Sequence, residues 1–150
     1  MEAIEFMIPN AWGSYLKDIL SNIDVEKYDW IIGEMTEILG EGNHSIFDNP
    51  RMSGTDFFES INLSRYYIVH ALFLALPKGI SSEPARDFDD FSRSNCEMAL
   101  IIIDCTDVNL YAKDPVEIQQ FMINAVKNEF TEIRKVSDEI EMKKYFQPFF

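Results

Sequence analysis

Residues 66–76 of the chain read YYIVHALFLAL, and this stretch decides the fold class. Its apolar side chains occupy both the odd and the even positions, which point to opposite faces of a β-strand. A strand that is apolar on both faces is covered on both faces, so we expect it to lie at the centre of a sheet. His70 is the polar exception, and we interpret it as a hydrogen-bonded core residue.

Six shorter runs are also typical of strands and supply the rest of the expected sheet. They are residues 3–8, 28–32, 35–39, 98–103, 108–111 and 130–136. We expect 28–32 and 35–39 to form a hairpin across Gly33 and Glu34, with residues 40–42 as the alternative turn. A second hairpin is expected to join 98–103 to 108–111. An aromatic tail of Tyr145, Phe146, Phe149 and Phe150 follows the last strand.

Two helices are the main helical elements that the sequence predicts. The first is expected to begin at Asn10, a good N-cap, because apolar residues then recur at helical spacing. These residues are Trp12, Tyr15, Leu16, Ile19, Leu20 and Ile23. The second is expected to begin at Asp114, with Pro115 in the first turn and Glu117 placed for a reciprocal capping box. A short helix over 55–61 is expected after a loop at 40–54.

Strands grouped around two helices, without regular alternation of strand and helix, predict an α+β fold. We expect a mostly antiparallel sheet of about five to seven strands with the two main helices packed against it. The length of 150 residues fits a single domain over residues 1–150, large enough to be stable without disulfides.

The chain is strongly acidic, with a net charge of −13 and a sequence pI near 4.4. This charge opposes binding to nucleic acid, whose phosphates are held by clustered Lys and Arg, and it attracts basic proteins. A hydrophobic fraction of 47% supplies a core, so the chain is expected to fold despite its charge. The partner class that composition favours is therefore a basic protein.

Several features predict a soluble cytoplasmic protein with no membrane contact. The first eight residues contain Glu2 and Glu5 and no basic side chain, which is unlike a signal peptide. The longest apolar stretch is about half of what a membrane-spanning helix requires. Two cysteines, Cys96 and Cys105, are too few for a disulfide scaffold and suit a reducing compartment.

Candidates for catalysis or metal binding are few. His44 is expected to be a solvated loop residue, and Cys105 a small packing residue whose acidic neighbours do not activate its thiol. The two cysteines do not have the spacing of a zinc site. We therefore predict no catalytic residues, no metal and no cofactor. The alternative is an enzyme or small-ligand domain with a loop pocket that uses Asp104, Cys105, Asp107 or His70.

The acidic side chains concentrate in one segment. Residues 24–59 contain nine carboxylates and two basic side chains, so −7 of the net charge of −13 falls there. Carboxylates interleaved with aromatic residues suit the capture of a basic protein, although a solvated face is the plain alternative. The predicted partner-binding residues are Glu34, Glu37, Glu41, Asp48, Asp56, Glu59, Trp30 and Phe47.

The opening of the chain resembles a known family. The residues that carry the resemblance are 4–10 (IEFMIPN), 15–20 (YLKDIL) and 23–30 (IDVEKYDW). They are similar to a bacterial domain-of-unknown-function family of small acidic proteins, some of which resemble immunity proteins of LXG-type polymorphic toxins. The resemblance implies a non-enzymatic immunity protein, or antitoxin, that neutralises a basic toxin such as a nuclease. A structural homodimer, formed through a sheet edge or the aromatic tail, is a further alternative.

Overall fold

The computed structural model describes residues 1–63, 65–81 and 83–146. Within them, one sheet contains eight strands, and five helices and two 3-10 turns complete the fold. The strands are β1 Glu2–Met7, β2 Tyr28–Ile32, β3 Glu37–Leu39, β4 Arg51–Ser53, β5 Tyr67–Pro77, β6 Met98–Ile103, β7 Asp107–Ala112 and β8 Thr131–Val136. The helices are α1 Tyr15–Ile19, α2 Gly54–Ile61, α3 Phe88–Arg93, α4 Pro115–Lys127 and α5 Glu139–Tyr145, and the 3-10 turns are Val25–Lys27 and Glu41–Asn43.

All pairings in the sheet are antiparallel, and the strand order is β4-β2-β5-β6-β7-β1-β8, with β3 also paired to β5. This confirms the α+β class and the antiparallel sheet. The strand number is slightly higher than the five to seven predicted. Strand β5 has neighbours on both edges and apolar residues on both faces, as the pattern of residues 66–76 predicted.

The predicted hairpin between 28–32 and 35–39 is wrong. Strands β2 and β3 do not pair with each other, because both pair with β5, β2 along Phe73–Pro77 and β3 along Tyr67–His70. The segment between them follows β5: Gly33 donates its N–H to the carbonyl of Leu72 at 2.8 Å. The Thr36 hydroxyl accepts from the N–H of Leu72 at 3.1 Å. Two short strands thus lie end to end along one long strand.

The predicted first helix is also shorter than expected. It begins at Tyr15, because Gly13 and Tyr66 exchange backbone hydrogen bonds of 3.0 and 2.9 Å that hold the preceding segment beside the start of β5. Asn10 is therefore not an N-cap, and its side chain accepts a hydrogen bond from the Tyr67 hydroxyl instead. Trp12 lies outside the helix and is 38% exposed.

Most of the other predicted elements are confirmed, but the predicted loop at 40–54 contains the 3-10 turn Glu41–Asn43 and strand β4. Strands β6 and β7 form the expected hairpin, α2 spans the expected short helix, and β8 is the last strand. Asp114 caps α4 by accepting from the N–H of Val116 at 2.9 Å. Glu117 does not complete a capping box, because its carboxylate lies in the interior and accepts from the Tyr28 hydroxyl at 2.7 Å. In the aromatic tail, Phe146 is buried, whereas Phe149 and Phe150 lie outside the described residues.

Helices cover both faces of the sheet. Helices α1, α2 and α4 pack on the face that contains Phe73 and Leu100. Helices α3 and α5 pack on the opposite face over Leu74 and Tyr111. On that second face, α3 and α5 leave the C-terminal end of β1, which contains Met7, uncovered. A groove lies there. None of the described helices is long and apolar enough to span a membrane.

Candidate functional site

The six predicted carboxylates are all exposed, on elements at the β2–β4 end of the sheet. Glu34 follows β2, and Glu37 is the first residue of β3. Glu41 lies in a 3-10 turn and Asp48 in the loop before β4. Asp56 and Glu59 lie on α2, which the Ser53 hydroxyl caps by accepting from the N–H of Asp56 at 3.2 Å. A helix whose buried stripe contains Phe57 and Ile61 turns these two carboxylates toward solvent.

Asp48 joins most of these residues into one surface. It shares a groove of about 220 Å³ with Glu34, and a second groove of about 380 Å³ with Asp56 and Glu59. Leu63 lies in the second groove and also in a third, of about 260 Å³, that Glu41 and Arg65 line. We call Glu34, Glu41, Asp48, Asp56 and Glu59 the acidic surface. Glu37 is exposed but lines none of these grooves, so the structure does not join it to the others.

The carboxylates of the acidic surface form no ion pair with the side chains that the structure describes. Among the described residues, no ion pair involves any of the five, or Glu37. The two basic side chains of residues 24–59 are used elsewhere: Lys27 lies 3.9 Å from Glu117, and Arg51 lies 3.9 Å from Asp29. These negative charges are close together and are not neutralised by an ion pair. The surface that they form therefore attracts cations.

The two aromatic residues assigned to the site, Trp30 and Phe47, are not at the surface, which corrects their predicted role as contact residues. Trp30 is 1% exposed and stacks on Phe57 with ring centroids 4.3 Å apart. Phe47 is 9% exposed and stacks on the other side of the same cluster, 5.7 Å from Phe57. The indole N–H of Trp30 donates to the carbonyl of Val25 at 3.0 Å. Both rings are therefore core residues beneath the acidic surface.

The exposed apolar side chains of this region are different ones, and of them Leu63 lines the grooves of the acidic surface. Phe58 and Leu63 are 42% and 46% exposed, and Met35 is 58% exposed. The position of Phe58 could have been predicted, because Phe57 and Ile61 have the four-residue spacing of the buried stripe of α2 and Phe58 falls outside it. The exposure of Met35 could not have been predicted, because it depends on the path of the segment between β2 and β3. That segment follows β5 instead of forming the expected hairpin turn.

Of the residues of the alternative catalytic pocket, Cys105 lies beside β5 next to His70, because its N–H donates to the carbonyl of Val69 at 3.0 Å. Asp107 lines a groove of about 430 Å³ on the second face of the sheet, but Asp104, Cys105 and His70 do not line it. Cys105 is half-buried and accepts a weak hydrogen bond from the Tyr67 hydroxyl at 3.4 Å. Cys96 is buried, and burial raises the pKa of its thiol. His44 is exposed and His70 half-buried. The described residues contain no group of three or more side chains able to share a metal ion.

The fold and site define a small α+β protein with a single antiparallel sheet and an unpaired acidic surface. Residues 1–147 match the family model described as Protein of unknown function (DUF2691), and the chain belongs to this family. This confirms the resemblance of its opening residues to a bacterial domain-of-unknown-function family.

One relative is the Uncharacterized protein YncE of Bacillus subtilis (strain 168). It is 26% identical to this chain over 140 residues, which cover 91% of this chain and 92% of the relative. Matching along nearly the full length of both chains indicates a shared fold. No solved structure matches the chain significantly.

Proposed function

We propose that this chain is a non-enzymatic binding protein that captures a basic protein through its acidic surface. Its partner in this proposal is a bacterial toxin, such as a nuclease, which the chain neutralises in the cytoplasm as an immunity protein. The observation that carries the proposal is the set of five exposed carboxylates, joined by shared grooves and forming no ion pair among the described residues. An acidic protein that occupies the nucleic-acid surface of a basic nuclease would block access of the substrate.

Several carboxylates elsewhere in the chain are paired with a cationic side chain, unlike those of the acidic surface. Glu5 pairs with Arg134 at 2.6 Å, Glu2 with Lys135 at 2.8 Å, and Asp89 with Lys143 at 3.3 Å. Such pairs neutralise charge locally, whereas none of the ion pairs among the described residues involves the five carboxylates of the acidic surface. A concentrated charge accelerates encounter with an oppositely charged partner, and this acceleration falls as salt is added.

The exposed apolar side chains supply the contact area that charge alone does not provide. Leu63 lies in the groove that Asp48, Asp56 and Glu59 line, and Phe58 follows the buried Phe57 on the same helix. Apolar groups at the centre of an interface stabilise the bound complex, and surrounding charges set its orientation and rate of formation. The surface therefore has both components of a protein interface.

The test is binding of the product of the adjacent gene, purified and immobilised, to the wild-type chain and to charge-reversal variants. Asp48→Lys and Asp56→Lys should each weaken binding by about tenfold or more, because each leaves a cationic partner group facing a like charge. If the partner is a nuclease, the wild-type chain should also inhibit its activity at equimolar ratio, and the variants should not.

The matched control is Glu129→Lys. Glu129 is exposed and lies after α4, away from the acidic surface, and the change alters the net charge by the same amount. Its binding should stay within about twofold of wild type. The proposal is rejected if the wild-type chain does not bind the product, or if Glu129→Lys weakens binding as much as Asp48→Lys does.

A further inference from the structure

The groove of about 430 Å³ on the second face of the sheet lies outside the acidic surface. It is on strands β1, β6, β7 and β8, whereas the acidic surface is at the β2–β4 end. Side chains that point to this face of the sheet line it, where α3 and α5 do not reach. They include Glu5 and Met7 of β1, Ile103 of β6, Asp107 and Asn109 of β7, and Glu132 of β8. Its volume is within the range of small-molecule sites.

Asn109 is the polar side chain that distinguishes this groove from an acidic patch. It is only 8% exposed, and it lies between Glu5 of β1 and Ile101 of β6 in the strand register. No hydrogen bond from the described residues reaches its side-chain amide, which lines the groove. Its polar atoms are open to the groove, so they can bond a group that enters it. Asn109 therefore presents, between β1 and β6, a hydrogen-bonding group that a ligand can use.

The backbone of β8 places a carboxylate at the same groove. The register between β1 and β8 shifts between Glu5 and Met7, which is a β-bulge, and Glu132 lies in it. Its φ of 54° is in the left-handed region, which is unfavourable for a side chain of this kind. Bulges of this type redirect a side chain, and strained residues cluster at ligand sites. Here the redirected side chain lines the groove.

The charges of the groove are only partly compensated. Arg134 holds Glu5 through a hydrogen bond of 2.6 Å and also contacts Glu141. Asp107 and Glu132 have no cationic partner among the described residues, and the Thr106 hydroxyl donates to the Asp107 carboxylate at 3.3 Å. These carboxylates do not form a group able to hold one metal ion. They line the groove together with the apolar side chains of Met7 and Ile103. This arrangement suits a larger cation that has its own N–H donors.

We propose that this groove binds a small organic cation, an alkylguanidinium or alkylammonium group. The ligand N–H groups would donate to Asp107, Glu132 and the Asn109 side-chain oxygen, and its methylene chain would contact Met7 and Ile103. Charged hydrogen bonds of this kind are stronger than neutral ones and fix orientation. The site is independent of the acidic surface, so failure of either proposal leaves the other intact.

The probes are n-butylguanidinium and n-butylammonium chloride, titrated into the labelled full chain and followed by amide chemical shifts and calorimetry. Both should bind saturably, with shifts concentrated at Met7, Ile103 and Asn109, whereas butan-1-ol and matched potassium chloride should not. Asp107→Asn and Glu132→Gln should each weaken binding about tenfold, because each removes one charged acceptor. A chain without saturable binding, or one that binds butan-1-ol equally well, contradicts the proposal.

Two further variants separate binding from folding and from net charge. Asn109→Leu should weaken binding about tenfold. It should leave the melting temperature close to that of wild type, because the amide is open to the groove and its loss breaks no hydrogen bond among the described residues. Asp104→Asn is the matched charge control: Asp104 is exposed, lies three residues from Asp107 and does not line the groove. If Asp104→Asn weakens binding as much as Asp107→Asn does, the binding is non-specific and the site is rejected.

A third probe distinguishes a free ligand from a side chain of another protein. Nα-acetyl-arginine methylamide presents the same guanidinium on a blocked backbone. If it produces the same shifts as n-butylguanidinium, the groove accepts an arginine side chain within a polypeptide. If only n-butylguanidinium binds, the groove accepts a free cation. Either result supports the site and shows whether its ligand is a free cation or an arginine side chain of another protein.

Discussion

Glu117 is an ionisable residue that lies in the protein interior. Its side chain is buried on α4, and one oxygen accepts from the Tyr28 hydroxyl at 2.7 Å, with Lys27 at 3.9 Å. Its second oxygen, Oε2, is buried without a hydrogen-bond partner among the described residues. Burial raises the pKa of Glu117 above the usual glutamate value, and the contacts with Tyr28 and Lys27 only partly offset this.

The raised pKa predicts a pH-dependent contribution to stability. Between the ordinary glutamate pKa of about 4.3 and the higher folded value, the folded chain holds a proton that the unfolded chain releases. The stabilisation from protonated Glu117 is therefore fully present below the unfolded pKa. It is lost as the pH rises from the unfolded pKa through the higher folded pKa. Glu117→Gln should stabilise the fold by about 1 kcal/mol at pH 7 and have little effect at pH 4, measured by urea unfolding.

Glu129→Gln is the control for this measurement, because Glu129 is exposed. Its free energy of unfolding should differ from wild type by a similar small amount at both pH values. Parallel pH profiles for wild type and Glu117→Gln would contradict the assignment of a raised pKa to Glu117.

At the scale of elements, helix α2 depends on close backbone contact at its first residue. A Cβ on Gly54 would lie 2.6 Å from the Cα and the carbonyl oxygen of Glu26, and 2.6 Å from the carbonyl oxygen of Tyr28. These are backbone atoms, so they cannot move as a flexible side chain would. Gly54 therefore lets α2 pack against the 3-10 turn Val25–Lys27 and the start of β2, and so positions Asp56 and Glu59.

Gly54→Ala should destabilise the fold by about 2–3 kcal/mol, because the helix must shift away from the turn. Gly79→Ala is the comparison: no atom lies within 4 Å of its added Cβ, but its φ of 79° favours glycine. That variant should cost only about 1 kcal/mol. The measurement is urea unfolding of both variants, and equal losses would show that close packing at Gly54 is not the cause.

At the scale of the whole molecule, the two edges of the sheet oppose pairing with a second copy. Strand β4 at one edge has three residues, which is short for a pairing surface. Strand β8 at the other edge contains a bulge and the charged Glu132, Arg134 and Lys135. Short edges, bulges and charges are the features that prevent edge-to-edge association.

We therefore expect a monomer, although a homodimer was one sequence-based alternative. Light scattering coupled to size exclusion should give a mass near the 17.4 kDa of one chain at micromolar concentration, in low and in high salt. Salt is the informative variable, because screening removes the repulsion between two acidic chains and would expose any apolar association. A mass near twice that value in high salt would contradict the expectation.

The sequence alone determined the elements whose signal is local. Two-sided apolarity marked β5, adjacent apolar runs marked the β6–β7 hairpin, and Asp114 before Pro115 marked the start of α4. The charge of residues 24–59 was also visible, because composition does not depend on folding. Strand periodicity and capping involve residues only a few positions apart, so a pattern in the chain is enough to predict them.

The tertiary structure alone decided what those elements contact. Strands β2 and β3 looked like a hairpin, but β5 is long enough to pair with both, and the paired residues of β5 lie 28 to 49 positions further along the chain. Trp30 and Phe47 looked like surface anchors beside carboxylates, but Phe57 and Phe73 pack against them. Burial is a property of neighbours brought from distant positions, and no local pattern records it.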